Sequence, residues 1–327
     1  MRITQKIIYD DFMRDINRNR GEMAGLQADL SSGKAVRLPS HEPVSFQRAR
    51  LIEDEIRKQD QYQSNIDSGL RQARLAQESL DQVVDNLIDI KGIATKGSTG
   101  TTGEKARESM AEEVSGIRDS MISTLNLSYG DRYLFAGTNS AQAPFRYEDD
   151  LNLEEGVEEN GENNNEENEN GEESSSSEIP APGGVANFSS STPIQIRAGD
   201  GVSLDVSITG SELRESDAGD MFEIIGQLEQ ALRDNDPEAI KETISDIDQL
   251  VDHSAILTGK LGNNINRMEF MNEQYESTRI VKKADVSQLV DTDFAQAFSD
   301  MQRTQVSFEA AMAVHSNMIH NTLLDYI

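Results

Sequence analysis

The sequence predicts a mainly α-helical fold, in which both chain ends form a long antiparallel helical rod or coiled coil around a small inserted β-rich domain. Apolar residues recur at alternating steps of three and four near both ends, which is the spacing of a helix seam. Aromatic residues make up only 5% of the 327 residues and Trp is absent, which suits thin seams better than one thick core. Two alternating apolar–polar segments near residues 194–208 indicate the β-rich part.

The two chain ends carry the clearest seams. The N-terminal seam consists of Tyr9, Phe12, Ile16, Met23, Leu26 and Leu30, and Gly33 is the expected end of its helix. The C-terminal seam runs to the last residue and contains Phe294, Phe298, Met301, Phe308, Met312, Ile319 and Tyr326. Such stripes are unstable when bare in water, so we expect the two helices to pair.

Further helices lie between the ends. The segment Leu38–Pro43 reads as a turn in which Ser40 caps the next helix. That helix has the seam Ile52, Ile56, Ile66, Leu70, Ala73, Leu80, Val84 and Leu87. A loop over 96–105 ends it, and because Gly103 is followed by Glu104 we interpret this loop as a turn rather than a phosphate-binding loop. A helix through Met110, Val114, Ile117, Met121 and Leu125 follows.

The β-rich part is expected over residues 138–210. Tyr133–Phe135 reads as a strand entering a turn at Gly137, and residues 194–196 and 202–208 as a hairpin. Residues 148–178 are almost entirely Glu, Asn, Gly, Ser and Asp, and we interpret them as a solvated, disordered insertion rather than a calcium site.

Helices resume after the β-rich part. Asp220 is placed to cap one helix in a capping box with Glu223, and Asp236–Pro237 opens a long helix that extends to about Arg279. Residues 281–291 are the expected joint before the C-terminal helix, and a joint that is helical in part stays open.

The net charge and the residue types present argue against several classes of function. The formal charge of −29 argues against nucleic acid and anionic membranes as partners. No signal-peptide core and no apolar run of membrane-spanning length is present. The absence of Cys excludes thiol catalysis, and the four His residues show no metal-binding spacing, so we expect no enzyme, metal or cofactor.

Several motifs together resemble the flagellin superfamily, and within it the proteins at the hook–filament junction. They are Met1–Thr4, Leu30–Lys34 followed by Leu38–Pro43, Arg132–Gly137 with Pro144–Phe145, and Leu323–Ile327. The chain departs from the family pattern at His41, where Asp is usual, and at Thr322, where Ser is usual. The resemblance covers residues 1–147 and 211–327, and leaves the acidic tract 148–178 unmatched.

The resemblance implies an exported structural protein of the bacterial flagellum. Its subunits would form an adaptor ring between hook and filament, leave the cell through the flagellar type III apparatus, and be held before export by a chaperone. The implied partners are other copies of the chain, a neighbouring hook-associated protein and filament-side subunits. We expect the seam residues near both termini to bind neighbouring subunits, and the alternative is that some of them pack only within one subunit. The expected subunit-assembly residues are Phe12, Ile16, Met23, Leu26, Leu30, Phe294, Phe298, Met301, Phe308, Met312, Ile319 and Leu323.

Three domains follow from this interpretation, and two alternatives for the function stay open. The expected domains are terminal assembly helices at 1–45 and 286–327, weakly ordered in the monomer; a helical rod at 46–137 and 211–285; and the β-rich insertion at 138–210. The alternatives are flagellin itself, the bulk filament protein, and an acidic coiled-coil protein that binds or regulates a partner.

Overall fold

The computed structural model describes the backbone of residues 2–147 and 184–324, and the side chains of residue 7 and of residues 9–147 and 184–314. Helices dominate this part of the chain: α1 Arg2–Ser32, α2 Pro43–Gly97, α3 Glu104–Leu125, α4 Gly210–Arg214, α5 Met221–Arg233, α6 Pro237–Val290 and α7 Phe294–Leu324. The prediction of a mainly α fold with a small β-containing insertion is therefore confirmed. The disorder predicted for 148–178 falls outside the described residues.

The strands are short and form four antiparallel pairs, each between consecutive strands. They are β1 Ser128–Tyr129 with β2 Arg132–Tyr133, β3 Phe145–Tyr147 with β4 Val185–Asn187, β5 Gln195–Gly199 with β6 Val202–Asp205, and β7 Glu215–Ser216 with β8 Gly219–Asp220. Because these hairpins are only a few residues long, packing between helices supplies most of the core.

The described chain divides into two compact units, and helices α2 and α6 contribute residues to both. The terminal unit comprises Met1–Asp60 and Tyr275–Ile327, and the central unit comprises Gln61–Gln274. The domain boundaries expected from the sequence remain a prediction.

In the terminal unit, a backbone joint holds the end of α1 beside the start of α7. Gly33 has φ 71°, which is the left-handed conformation that glycine adopts readily at a helix end, and its N–H donates to Asp29 O over 2.8 Å. The N–H of Thr292 donates to Gly33 O over 2.9 Å, and Lys34 pairs with Asp291 in an antiparallel bridge. The two helices therefore leave the joint side by side in opposite chain directions.

Two expectations about this joint are corrected. The helix that starts at Pro237 continues through Val290 rather than ending near Arg279, so the joint shrinks to residues 291–293. Its extra turns are held against α2 by Lys282, which pairs with Glu55 over 3.0 Å, and by Val290, which packs with Val36 and Ala49.

Ser40 does not cap α2, contrary to the expectation. The carbonyl of Glu42 accepts the first helical bond, from Phe46 N over 3.0 Å, and Pro43 occupies the first helical position, where a missing N–H costs nothing. Ser40 lies in the preceding turn, which is closed by the N–H of His41 donating to Leu38 O over 3.0 Å.

In the central unit, α3 packs against α5, and Ile196 of the β5–β6 hairpin lies against α2 at Gly69. The rings of Phe145 and Phe222 meet edge to face with centroids 5.4 Å apart. Arg107 is 4% exposed and fixes the loop that ends α2, because its guanidinium donates to Gly97 O over 2.8 Å and to Thr99 O over 2.9 Å. The predicted interruption of the helix at this loop is confirmed.

The predicted hairpin and helix caps are present. Ile196 pairs with Leu204 across β5 and β6, and Gly201 forms the turn with φ 73°. Asp220 accepts hydrogen bonds from Phe222 N and Glu223 N, and Asp236 accepts from Glu238 N and Ala239 N. The capping box is incomplete, because the Glu223 carboxylate accepts a hydrogen bond from the Gln227 side chain instead of one from the backbone N–H of Asp220.

The strand predicted over Tyr133–Phe135 is shorter than expected, because only Tyr133 pairs with β1. Leu134, Phe135 and Ala136 instead run as fully buried chain into the core, where Phe135 O accepts from Gly210 N over 2.7 Å.

Candidate assembly surface

The terminal helices α1 and α7 pack against each other along the terminal unit. Arg20 on α1 lies over the ring of Phe308 on α7, with its guanidinium carbon 5.5 Å from the ring centroid, in a cation–π contact. The pairing of the two chain ends that the seams predicted is therefore present.

On α1, the predicted seam faces inward except at Tyr9, which is 51% exposed. Ile16 is 4% exposed, and Phe12, Met23, Leu26 and Leu30 are half-buried. These five side chains therefore pack largely within the subunit, and their proposed contacts with neighbouring subunits use only the area that remains accessible.

On α7, the inward stripe is offset from the predicted seam. It consists of Ala297, Met301, Thr304, Phe308 and Ala311, which are buried or half-buried at steps of four and three. The small side chains at three of these positions let α7 approach α1, and a search for large apolar residues overlooks them.

The offset leaves three predicted assembly residues on an accessible flank, about 70° around the helix from the inward stripe. We call Phe294, Phe298 and Met312 the α7 flank; they are 58%, 51% and 46% exposed. Phe294 also touches the joint, since its Cζ lies 3.7 Å from the position of a Cβ at Gly33. The side chains of Ile319 and Leu323 fall outside the described residues.

The sequence interpretation missed further exposed apolar residues on these helices. Val306 and Val314 on α7 are 65% and 57% exposed, and Ile7 on α1 is 54% exposed. For the two α7 residues, the signal that could have found them is the scarcity of charge, since only Asp300, Arg303 and Glu309 are charged among the 31 residues of α7. Depletion of charged residues is typical of the core of a protein interface.

The joint gives this surface a fixed base. Arg37 and Asp29 form a 2.8 Å ion pair across the turn, and Ala35 N donates to Val290 O over 2.8 Å. Asp293 caps α7 by accepting from Ala295 N and Gln296 N. These contacts fix the direction in which α7 runs from the joint, and therefore the direction in which the α7 flank faces.

Charge is distributed very unequally between the two units. The terminal unit holds 15 Lys and Arg against 17 Asp and Glu, a formal charge of −2. The central unit holds 15 against 42, a formal charge of −27, of which 14 acids fall within 148–178. The surface with exposed apolar helices is thus almost neutral.

Among the described residues of the central unit, Tyr147 has a clearly shifted pKa. Burial, together with a hydrogen bond to Asp119, raises the pKa of Tyr147 above its ordinary value, and Arg118 opposes this shift. Arg118 and Glu229 lie nearby as an ion pair 2.7 Å apart, with their side chains 14% and 12% exposed. The cluster ties α3 to α5 and offers no nucleophile or metal-binding arrangement.

Among the described residues, no group of three or more His, Cys, Asp or Glu side chains is placed to hold a metal ion. None of the helices in that part of the chain is long and apolar enough to cross a membrane.

Two sequence models of one family match the chain at its two ends. The bacterial flagellin N-terminal helical region matches residues 3–140, and the bacterial flagellin C-terminal helical region matches residues 240–327. The two matches cover the terminal unit, α3 and β1–β2, and leave the segment between residues 140 and 240 outside the family pattern.

Similar proteins span nearly the whole chain. Flagellar hook-associated protein 3 of Escherichia coli K12 is 23% identical, and that of Salmonella typhimurium LT2 is 22% identical, each over 97% of both chains. The flagellar junction protein of Legionella pneumophila has a similar fold, with a TM-score of 0.56 and 11% identity over 75% of this chain and 100% of that one.

Proposed function

The chain belongs to the bacterial flagellin family, and we propose that it is the structural adaptor that joins the hook of a bacterial flagellum to its filament. The observation that carries this proposal is the α7 flank, an exposed apolar strip on a helix with almost no charge. The hook-associated relatives, matched over 97% of both chains, favour the junction over the bulk filament.

The proposed mechanism is assembly by burial of the terminal helices. Copies of the chain pack side by side in a ring, and their contacts involve α1 and α7. Phe294, Phe298 and Met312 then become covered by the helices of the next copy, and hydrophobic burial supplies the main driving force. With a formal charge of −2, the terminal unit packs against its copies with little Coulomb repulsion.

On this account the other partners are a hook-associated protein on one side of the ring, filament-side subunits on the other, and an export chaperone before assembly. The chain leaves the cell through the flagellar type III apparatus and functions outside it, in the flagellum. A chain without Cys suits passage through a narrow channel in an unfolded state. The chaperone covers the C-terminal region, whose exposed apolar residues otherwise promote premature association.

No enzymatic activity is part of this proposal. The sequence holds no nucleophile elbow, no dinucleotide-binding loop and no metalloprotease motif.

Deletion of the gene tests the adaptor function. We expect cells with intact hooks and no attached filament, while flagellin secreted into the medium shows that export still works. A cytoplasmic regulator would leave flagella normal. Loss of filament that is restored by seeding hooks with the purified chain would support the adaptor, whereas self-polymerisation of the chain into long filaments would favour flagellin.

A further inference from the structure

The terminal unit carries a second exposed apolar surface, on the first four turns of α2. Val44 is 75% exposed, the highest value among the large apolar residues described, and Leu51 is 65% exposed. They lie seven residues apart and therefore on one face of the helix. Arg48 and Lys58 share this face, and we call Val44, Arg48, Leu51 and Lys58 the α2 stripe.

The α2 stripe carries unbalanced positive charge. Arg48 and Lys58 are exposed and form no ion pair with any described residue, whereas the acid on the same face, Glu55, pairs with Lys282 over 3.0 Å. A complementary surface therefore needs exposed apolar area together with carboxylates that have no cation partner of their own.

The central unit offers that complement. Glu78, Asp81, Asp85 and Asp89 line one exposed face of α2 without a described cation partner, and Ile88 beside them is 49% exposed. The two cations of the α2 stripe are ten residues apart, about 15 Å, and the outer two of these acids are eleven apart, about 16 Å. The four acids follow one another at steps of three and four residues, where like charges destabilise a helix, so an opposing cationic surface would relieve their repulsion.

We propose that the α2 stripe of one copy docks on the acidic face of the central unit of a second copy. This inference rests on the self-assembly proposed above and adds a specific contact to it. Such a head-to-tail contact uses two different surfaces, and repetition of it around an axis closes a ring. It also explains why copies with a formal charge of −27 on the central unit can lie next to each other: each acidic face meets a cationic one.

A charge-exchange experiment on the full chain tests the contact. One variant carries Arg48→Glu and Lys58→Glu, a second carries Glu78→Lys and Asp89→Lys, and a third carries all four substitutions. Self-association is measured by sedimentation velocity at low and high salt. We expect the first two variants to associate about tenfold more weakly than the natural chain at low salt, and the third to recover most of the loss. The differences should shrink at high salt, because screening shortens the reach of exposed charges.

The control variant, Lys105→Glu with Lys241→Glu, changes the net charge by the same amount as the first variant, but at exposed sites of the central unit. It should associate like the natural chain. The inference is overturned if the four-fold variant is no better than the first two, if the control loses as much affinity, or if the natural chain stays monomeric at every concentration. Addition of each variant to isolated hooks is measured separately, since a chain that adds normally despite the reversals keeps the adaptor function and refutes only this contact.

Discussion

Substitution of Phe298 by Ala separates assembly from folding. Phe298 is 51% exposed on the α7 flank, so about half of its surface is still available to a neighbouring copy. An aromatic side chain buries roughly 150–250 Å², which leaves about 100 Å² for the contact. At about 25 cal/mol per Å², its burial contributes up to about 2.5 kcal/mol, and the variant should bind its neighbour between tenfold and a hundredfold more weakly.

Addition of the variant to isolated hooks, followed at increasing protein concentration, measures this effect. Gln302→Ala, one turn further along α7 and exposed, is the matched control and should add normally. Ile16→Ala should act on folding instead of assembly. Ile16 is 4% exposed, so its truncation should lower the free energy of unfolding of the α1–α7 pair by about 2–5 kcal/mol.

Equal addition by Phe298→Ala and Gln302→Ala would refute the assignment of the α7 flank to assembly. A large loss of helix signal in the unassembled Phe298→Ala chain would also count against it, because the substitution would then be acting on folding.

Three further predictions concern the central unit and the acidic tract. Gly137→Ala should destabilise the chain by more than about 2 kcal/mol, because Gly137 has φ 62° and a Cβ would lie 2.6 Å from Thr192 O; Gly116→Ala, inside α3 with open space around it, should stabilise slightly in the same thermal melts. The raised pKa of Tyr147 favours the neutral phenol in the folded state, so its contribution to stability is present below pH 10 and declines as pH rises through the folded pKa; Tyr147→Phe should flatten that decline in alkaline unfolding curves. Deletion of 148–178 should leave assembly and motility unchanged at moderate salt, and loss of motility would show that the tract has a structural role.

The large elements were predictable because their signals are local. Helix periodicity, Gly33 as a helix end, and the Asp220 and Asp236 caps each depend on a few neighbouring residues, and the structure contains all of them. The start of α2 at Pro43 was missed because Ser40 and Pro43, three residues apart, both signal a helix start and only the backbone geometry decides between them.

The assembly surface was predictable only in part. Large apolar residues define the inward face of α1, but on α7 the small residues Ala297, Thr304 and Ala311 face inward and push Phe294 and Phe298 outward. Which of two overlapping stripes packs within the subunit depends on the shape of the partner helix, and a single sequence does not contain that information. The same holds for the α2 stripe, whose significance lies in the exposure of Val44 and Leu51.

The most direct test of the central claim compares the full chain with a chain lacking residues 1–45 and 286–327. Each is labelled and added to isolated hooks, and circular dichroism measures its helix content beforehand. The account predicts that the full chain adds and that the truncated chain does not add, although the central unit keeps its helix signal. Addition of the truncated chain at the same concentration as the full chain would contradict the account, because the contact with the hook would then lie outside the terminal helices.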